Sequence, residues 1–157
     1  MRVVFDTNIL VSALVFPGGQ GDAALRRIVE GTDELVISKA ILDELLAVLG
    51  RKFARDGEGL AHVAVFLSEI ATVVAPRRRL RVVRDDPDNR ILECALTGRA
   101  EAIVTGDKAL LALGAFEGIA VVKLTDIPFW QAARPRPRAI WVLPVPLGPR
   151  AMTFSRR

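Results

Sequence analysis

Short apolar runs recur along the chain, separated by longer stretches in which apolar residues return every three or four positions. The first pattern suits buried strands and the second suits helices with one apolar face. Strand-like runs fall at 2–5, at Leu35-Val36-Ile37, briefly at Val82-Val83, at 102–105 and at 119–122. Between them, residues 9–16 predict a helix closed by Pro17-Gly18-Gly19. Residues 22–30 predict another, with Ala24, Leu25, Ile28 and Val29 on one side. Ser38 is a candidate N-cap for a helix over 39–53 that carries Ile41, Leu42, Leu45, Leu46, Val48 and Leu49. Further helices are predicted at 60–73, at 88–97 with Gly98 as the stop, and at 107–113. Short apolar strands alternating with helices build a parallel sheet covered on both faces, so the expected fold is a three-layer α/β/α sandwich with a short central parallel sheet. There are no internal repeats.

Composition narrows the chemistry. A chain of 157 residues with 51% hydrophobic and 25% charged residues suits one globular core, not a disordered chain. No apolar run approaches the ~18 residues of a membrane span, and Asp6 interrupts any signal-peptide core. The single cysteine, Cys94, excludes an internal disulfide and a Cys-rich zinc site, and the single histidine, His62, excludes a His cage. Both sit on apolar helical faces as packing residues. Chemistry therefore falls to carboxylates.

The net charge of +4 is unevenly placed. Residues 1–132 carry 16 Lys/Arg against all 18 Asp/Glu, whereas residues 133–157 carry six arginines and no acid. The latter stretch also holds five of the nine prolines, which block a continuous helix. The chain thus divides into a domain over 1–132 and a Pro/Arg-rich basic tail over 133–157, which either grips phosphate or a partner or is an unstructured end. A second basic cluster, Arg77, Arg78, Arg79 and Arg81 with Arg84 beyond, reads either as a solvated loop or as a phosphate contact. Lys108 has the same two readings. Phe129, Trp130 and Trp141 serve packing or stack on bases.

In a parallel sheet, sites form outside the carboxyl ends of the strands. Asp6 ends the first strand, and Asp107 follows the 102–105 strand across Gly106. Either alone reads as a helix cap. Glu44 lies on the flank of the apolar stripe of its helix, while Asp43 points further out. Asp88 falls in the middle of the face formed by Ile91, Leu92, Ala95 and Leu96, and an inward carboxylate is costly unless paired or metal-bound. Asp85 and Asp86, before Pro87, suit the cap instead. Four acids meeting at one edge need a counter-charge, and all-oxygen ligation suits Mg²⁺ or Mn²⁺. Such ions serve phosphoryl transfer.

Asp6-Thr7-Asn8, Glu44 within Ser38-x-x-Ile41-Leu42-x-Glu44-Leu45, Asp88-Asn89-x-x-Leu92-Glu93-Cys94-Ala95, and Thr105-Gly106-Asp107-Lys108-x-Leu110-Leu111 together resemble the PIN-domain nucleases. They most resemble the VapC-like toxin components of bacterial and archaeal toxin–antitoxin pairs. The resemblance covers residues 1–126. It implies a metal-dependent endoribonuclease whose catalytic and metal-binding acids are Asp6, Glu44, Asp88 and Asp107, with Asp86 an alternative for the third. Thr7, Asn8 and Thr105 are implied as supporting polar residues, and Mg²⁺ or Mn²⁺ as the cofactor. Attack by water on an RNA phosphodiester would leave a 5′-phosphate and a 3′-hydroxyl. A homodimer, a cognate antitoxin whose peptide arm blocks the acidic groove, and a cytoplasmic location without membrane contact are also implied. Glu93 and Asp126 stand as reserve acids. Competing readings are a catalytically inactive module of this fold that binds RNA or a partner, a receiver-type signalling domain, and a flap-type nuclease. The single acid on the first strand and the short chain weigh against the last two.

Overall fold

The apolar runs that pack from both sides become the centre of a sheet, in a computed structural model that describes residues 1–126. In chain order the elements are β1 (Arg2–Phe5), α1 (Thr7–Val15), α2 (Gln20–Val29), β2 (Glu34–Ser38), α3 (Lys39–Lys52), α4 (Gly57–Ile70), β3 (Ala71–Val74), α5 (Asp86–Thr97), β4 (Ala102–Val104), α6 (Lys108–Leu113), β5 (Ala115–Phe116) and β6 (Ile119–Val122). A 3₁₀ turn at Leu124–Asp126 follows. The strand order is β3-β2-β1-β4-β6-β5, parallel throughout except for β5, which runs against β6. Helices flank this sheet in a three-layer α/β/α arrangement, as the pattern predicts.

Burial explains why the central strands read as unbroken apolar runs. Val3, Val4 and Phe5 in β1 and all of β4 are buried, so neither face of the middle strands meets water. Leu10, Leu14, Leu25, Leu45, Leu49, Leu67, Ile91 and Leu92 close the core from the helices. Ser38 caps α3 as expected, its Oγ accepting from the Ile41 N–H at 3.4 Å. Gly98 ends α5 where a side chain has no room, since a Cβ there would lie 2.3 Å from Cγ1 of Val36 in β2.

Three expectations need correction. The helix predicted to reach residue 73 stops at Ile70, and Ala71–Val74 forms the edge strand β3. The β-branched run Thr72-Val73-Val74 pairs beside β2 where a helical reading had simply continued the apolar pattern. Val82-Val83 is not a strand, because both backbone N–H groups donate to Oδ1 of Asn89, at 2.9 and 3.0 Å, leaving none for a ladder. β5 was not anticipated. It is two residues long and turns into β6 through Glu117 and Gly118, both at positive φ (46° and 81°), the backbone that a two-residue hairpin demands. Four helices also begin earlier than predicted, at Thr7, Gln20, Gly57 and Asp86. The boundary at 132/133, the basic tail, Phe129, Trp130 and Trp141 lie outside the described residues.

Every parallel strand ends on the same side. Phe5, Val104 and Val122 are in register, as are Ser38 and Val74. Asp6 and Asp107 follow strands that end at this edge, and α3 and α5 carry Glu44 and Asp88.

A candidate metal centre at the carboxyl edge of the sheet

Asp6 is fixed one residue beyond β1, where its backbone N–H still donates to the Val104 carbonyl at 2.9 Å. It holds the N-cap position of α1, with its carbonyl accepting from Ile9 and Leu10, yet its side chain makes no cap bond. The carboxylate is free for another use. Oδ2 accepts from the Thr105 hydroxyl at 2.6 Å, and the same hydroxyl oxygen accepts from the Asp107 N–H at 3.0 Å. Thr105 is fully buried and is itself held by a bond from its N–H to the Val122 carbonyl. One hydroxyl thus sets the positions of two acids that are a hundred residues apart in the chain.

Asp107 has both proposed roles at once. Its Oδ1 caps α6 by accepting from the Leu110 N–H at 3.0 Å, and its carboxylate still faces the other acids closely enough to act on their ionisation. Glu44, half-buried on α3, accepts from the Thr7 hydroxyl at 2.9 Å through Oε2, and its charge reaches Asp6. Asp88 is buried in the first turn of α5, as the helical wheel predicts, and its Oδ2 has no hydrogen-bond partner.

The electrostatics follow from this crowding. Burial pushes the Asp6 carboxyl up, the Thr105 hydroxyl and the Thr7 N–H pull it down, and the charges of Asp107 and Glu44 add to the rise. Asp88 is pushed up to about 7, first by burial and then by the nearby charges of Asp107, Asp6 and Asp85.

The remaining candidates are dispersed. Asp86 is exposed and pairs with Arg79 and Arg90 at 3.5 and 3.3 Å, outside the acid group. Asn8 is exposed and makes no side-chain hydrogen bond among the described residues, whereas its neighbour Thr7 is buried. Asp43 pairs with Lys39 in solvent. Arg77, Arg78, Arg79, Arg81 and Lys108 are all exposed. Glu93 binds the Leu80 N–H and Arg90, and Asp126 accepts from the Lys123 N–H. Burial pushes the Cys94 thiol up to about 12, which leaves it inert. Sequence reasoning missed the polar side chains that brace the site's surroundings. Asn89, buried beside Asp88, holds four backbone atoms of the preceding loop, and a polar residue on an otherwise apolar helix face was its signal. Asp22, also buried, accepts from the Gly18 N–H at 2.9 Å and closes the turn before α2.

Among the described residues no three His, Cys, Asp or Glu side chains form a ready-made ion cage. The donors nonetheless suit a hard divalent cation. They are all oxygen, they repel one another, and one buried carboxylate oxygen lacks any partner. Mg²⁺ takes only one or two carboxylates directly and keeps water for its other positions, so a closed protein cage is not what it requires.

Known proteins share this fold and part of this sequence. The family model described as the PIN domain matches residues 2–109. The uncharacterized protein MJ1680 of Methanocaldococcus jannaschii is 31% identical over 117 residues, covering 72% of this chain and 75% of that protein. The structure of VapBC2 from Rickettsia felis bound to a DNA fragment from its promoter contains a chain similar in fold, with a TM-score of 0.58 and 17% identity over 78% of this chain and 98% of that one. VapBC-1 from nontypeable Haemophilus influenzae gives a TM-score of 0.54 and 18% identity over 80% and 99% of the two chains.

Proposed function

Because the chain belongs to the PIN domain family, we propose that it is a divalent-metal-dependent endoribonuclease acting as the toxin of a toxin–antitoxin pair. The observation that carries this reading is the unpartnered, buried oxygen of Asp88 facing the charges of Asp6 and Asp107. Such an arrangement is costly unless a cation completes it. Asp6, Glu44, Asp88 and Asp107 would hold Mg²⁺ or Mn²⁺. When bound, such an ion acidifies water for attack and offsets charge on the scissile phosphate.

The chain's own contribution is positional. Thr105 keeps Asp6 and Asp107 at a fixed separation, and Thr7 aims Glu44 toward the same point. Asp88 gives up the proton it carries below about pH 7 before it can serve as an anionic ligand. Cleavage then leaves a 5′-phosphate and a 3′-hydroxyl. In this reading residues 1–132 are the nuclease domain and 133–157 a basic appendage. The resemblance to VapC-like toxins and the fold likeness to chains of two VapBC assemblies support an antitoxin partner, and the resemblance alone supports a homodimer in the cytoplasm.

The test is incubation of the purified full chain with RNA in chelator, and then with Mg²⁺ or Mn²⁺ restored. Cleavage that requires the cation and is lost in Asp6→Asn and Asp107→Asn supports the proposal. Equal cleavage in chelator, or full activity in either variant, overturns it. RNA bound but never cut would favour the inactive binding module.

A further inference from the structure

The loop over 75–85 leaves β3 at the carboxyl edge and enters α5 at that same edge, so its eleven residues run along the side of the sheet that bears the acids. It has no regular secondary structure, yet its second half is anchored at Leu80, Val82, Val83 and Asp85. Leu80 is 7% exposed and inserts into the core. Its N–H donates to Oε2 of Glu93 at 2.7 Å, and its carbonyl accepts from Nη2 of Arg90 at 3.1 Å. Asn89 takes the N–H groups of Val82 and Val83 through Oδ1 and donates through Nδ2 to the Val83 carbonyl at 2.8 Å. Three consecutive and nearly consecutive side chains of α5, starting one residue after Asp88, therefore bracket this loop.

What the bracket presents is charge. Arg77, Arg78, Arg79, Arg81 and Arg84 are all exposed around the anchored Leu80. Only Arg79 has an ion-pair partner among the described residues, a 3.5 Å contact with exposed Asp86 that contributes little in water. Guanidinium forks fixed on a rigid backbone lose less freedom on binding than forks on a mobile loop, and they match phosphate oxygens. From this geometry we propose that the 75–85 loop is a preformed guide for the phosphate backbone of single-stranded RNA, leading it to the acid edge, with Asn89, Arg90 and Glu93 as its positioning residues. The inference rests on the nuclease reading for the identity of the polymer, but its test does not need cleavage.

Binding of a fluorescently labelled single-stranded RNA to the full chain is followed by anisotropy in chelator across a salt series. Each phosphate neutralised on a single strand contributes roughly 0.7 to the slope of log K against log salt. Replacing Arg77, Arg78, Arg81 and Arg84 together with Gln should lower that slope by about 2 to 3 and weaken binding at low salt more than tenfold. Glu93→Gln and Glu93→Ala carry the same net charge, but only Gln keeps an acceptor for the Leu80 N–H. Glu93→Gln should bind RNA at least as well as the parent, and Glu93→Ala several-fold more weakly despite its gained positive charge. Unchanged slope and affinity in the arginine variant overturn the proposal, as do equal affinities in the two Glu93 variants. So does a loss confined to an acidic polypeptide such as polyglutamate. RNA that binds through the loop and is never cut would overturn the nuclease reading alone. RNA that is cut with no dependence on the loop arginines would overturn this inference alone.

Discussion

Replacing Asp88 with Asn should stabilise the metal-free protein while removing its activity. A carboxyl moved from 3.8 to about 7 resists ionisation in the fold. With each tenfold in that equilibrium worth about 1.4 kcal/mol, the full effect is about 4 kcal/mol, which water at the mouth of the edge reduces to about 2 kcal/mol. The folded state keeps a proton that the unfolded chain has released, so wild-type stability falls as pH rises from about 4 to about 7 and then levels. Asn cannot ionise and escapes that fall. In urea titrations in chelator, the stability of Asp88→Asn relative to wild type should therefore move in the variant's favour by about 2 kcal/mol between pH 4 and pH 8. Adding Mg²⁺ at pH 8 should reverse the order, since only wild type gains a full ligand set. A pH-independent difference between the two proteins, or equal Mg²⁺ stabilisation of both, would refute the reasoning.

Thr105→Val removes the donor to Asp6 and the acceptor of Asp107, so it should cost about 1–3 kcal/mol in thermal melts and sharply lower the cleavage rate, while Thr105→Ser retains both. Gly98→Ala drives a methyl into Val36 and should lower stability by about 1–3 kcal/mol without altering cleavage by the folded fraction. The Cys94 thiol, buried and held protonated, should resist iodoacetamide at pH 8 in the native protein and react fully in denaturant, as mass spectrometry would show.

Where periodicity and burial coincide, the fold was legible. β1, β2 and β4 are continuous apolar runs because both their faces are covered, β6 shows through its apolar run although Ala120 is exposed, and α3 announces itself through Ser38 and a clear stripe. β3 was hidden because no glycine or proline separates it from α4, so an apolar helix passes directly into a strand. Val82-Val83 misled for the opposite reason. Its intrinsic preference is for a strand, but the amide of Asn89 takes its backbone donors first. At the candidate site, the inward aim of Asp88 and the flank position of Glu44 follow from helix geometry alone. The bridging hydroxyl of Thr105 does not, because it depends on the register between β1 and β4, which pair across a long sequence gap.

That register has a consequence in time. Asp6 is made well before the strand and hydroxyl that fix it, which emerge only with residues 102–105. While the ribosome is still translating the middle of the message, the nascent chain has its first acid and no partner to hold it. A product terminated before that point lacks both the Thr105 hydroxyl and Asp107, so the acid pair that this register assembles cannot form in it.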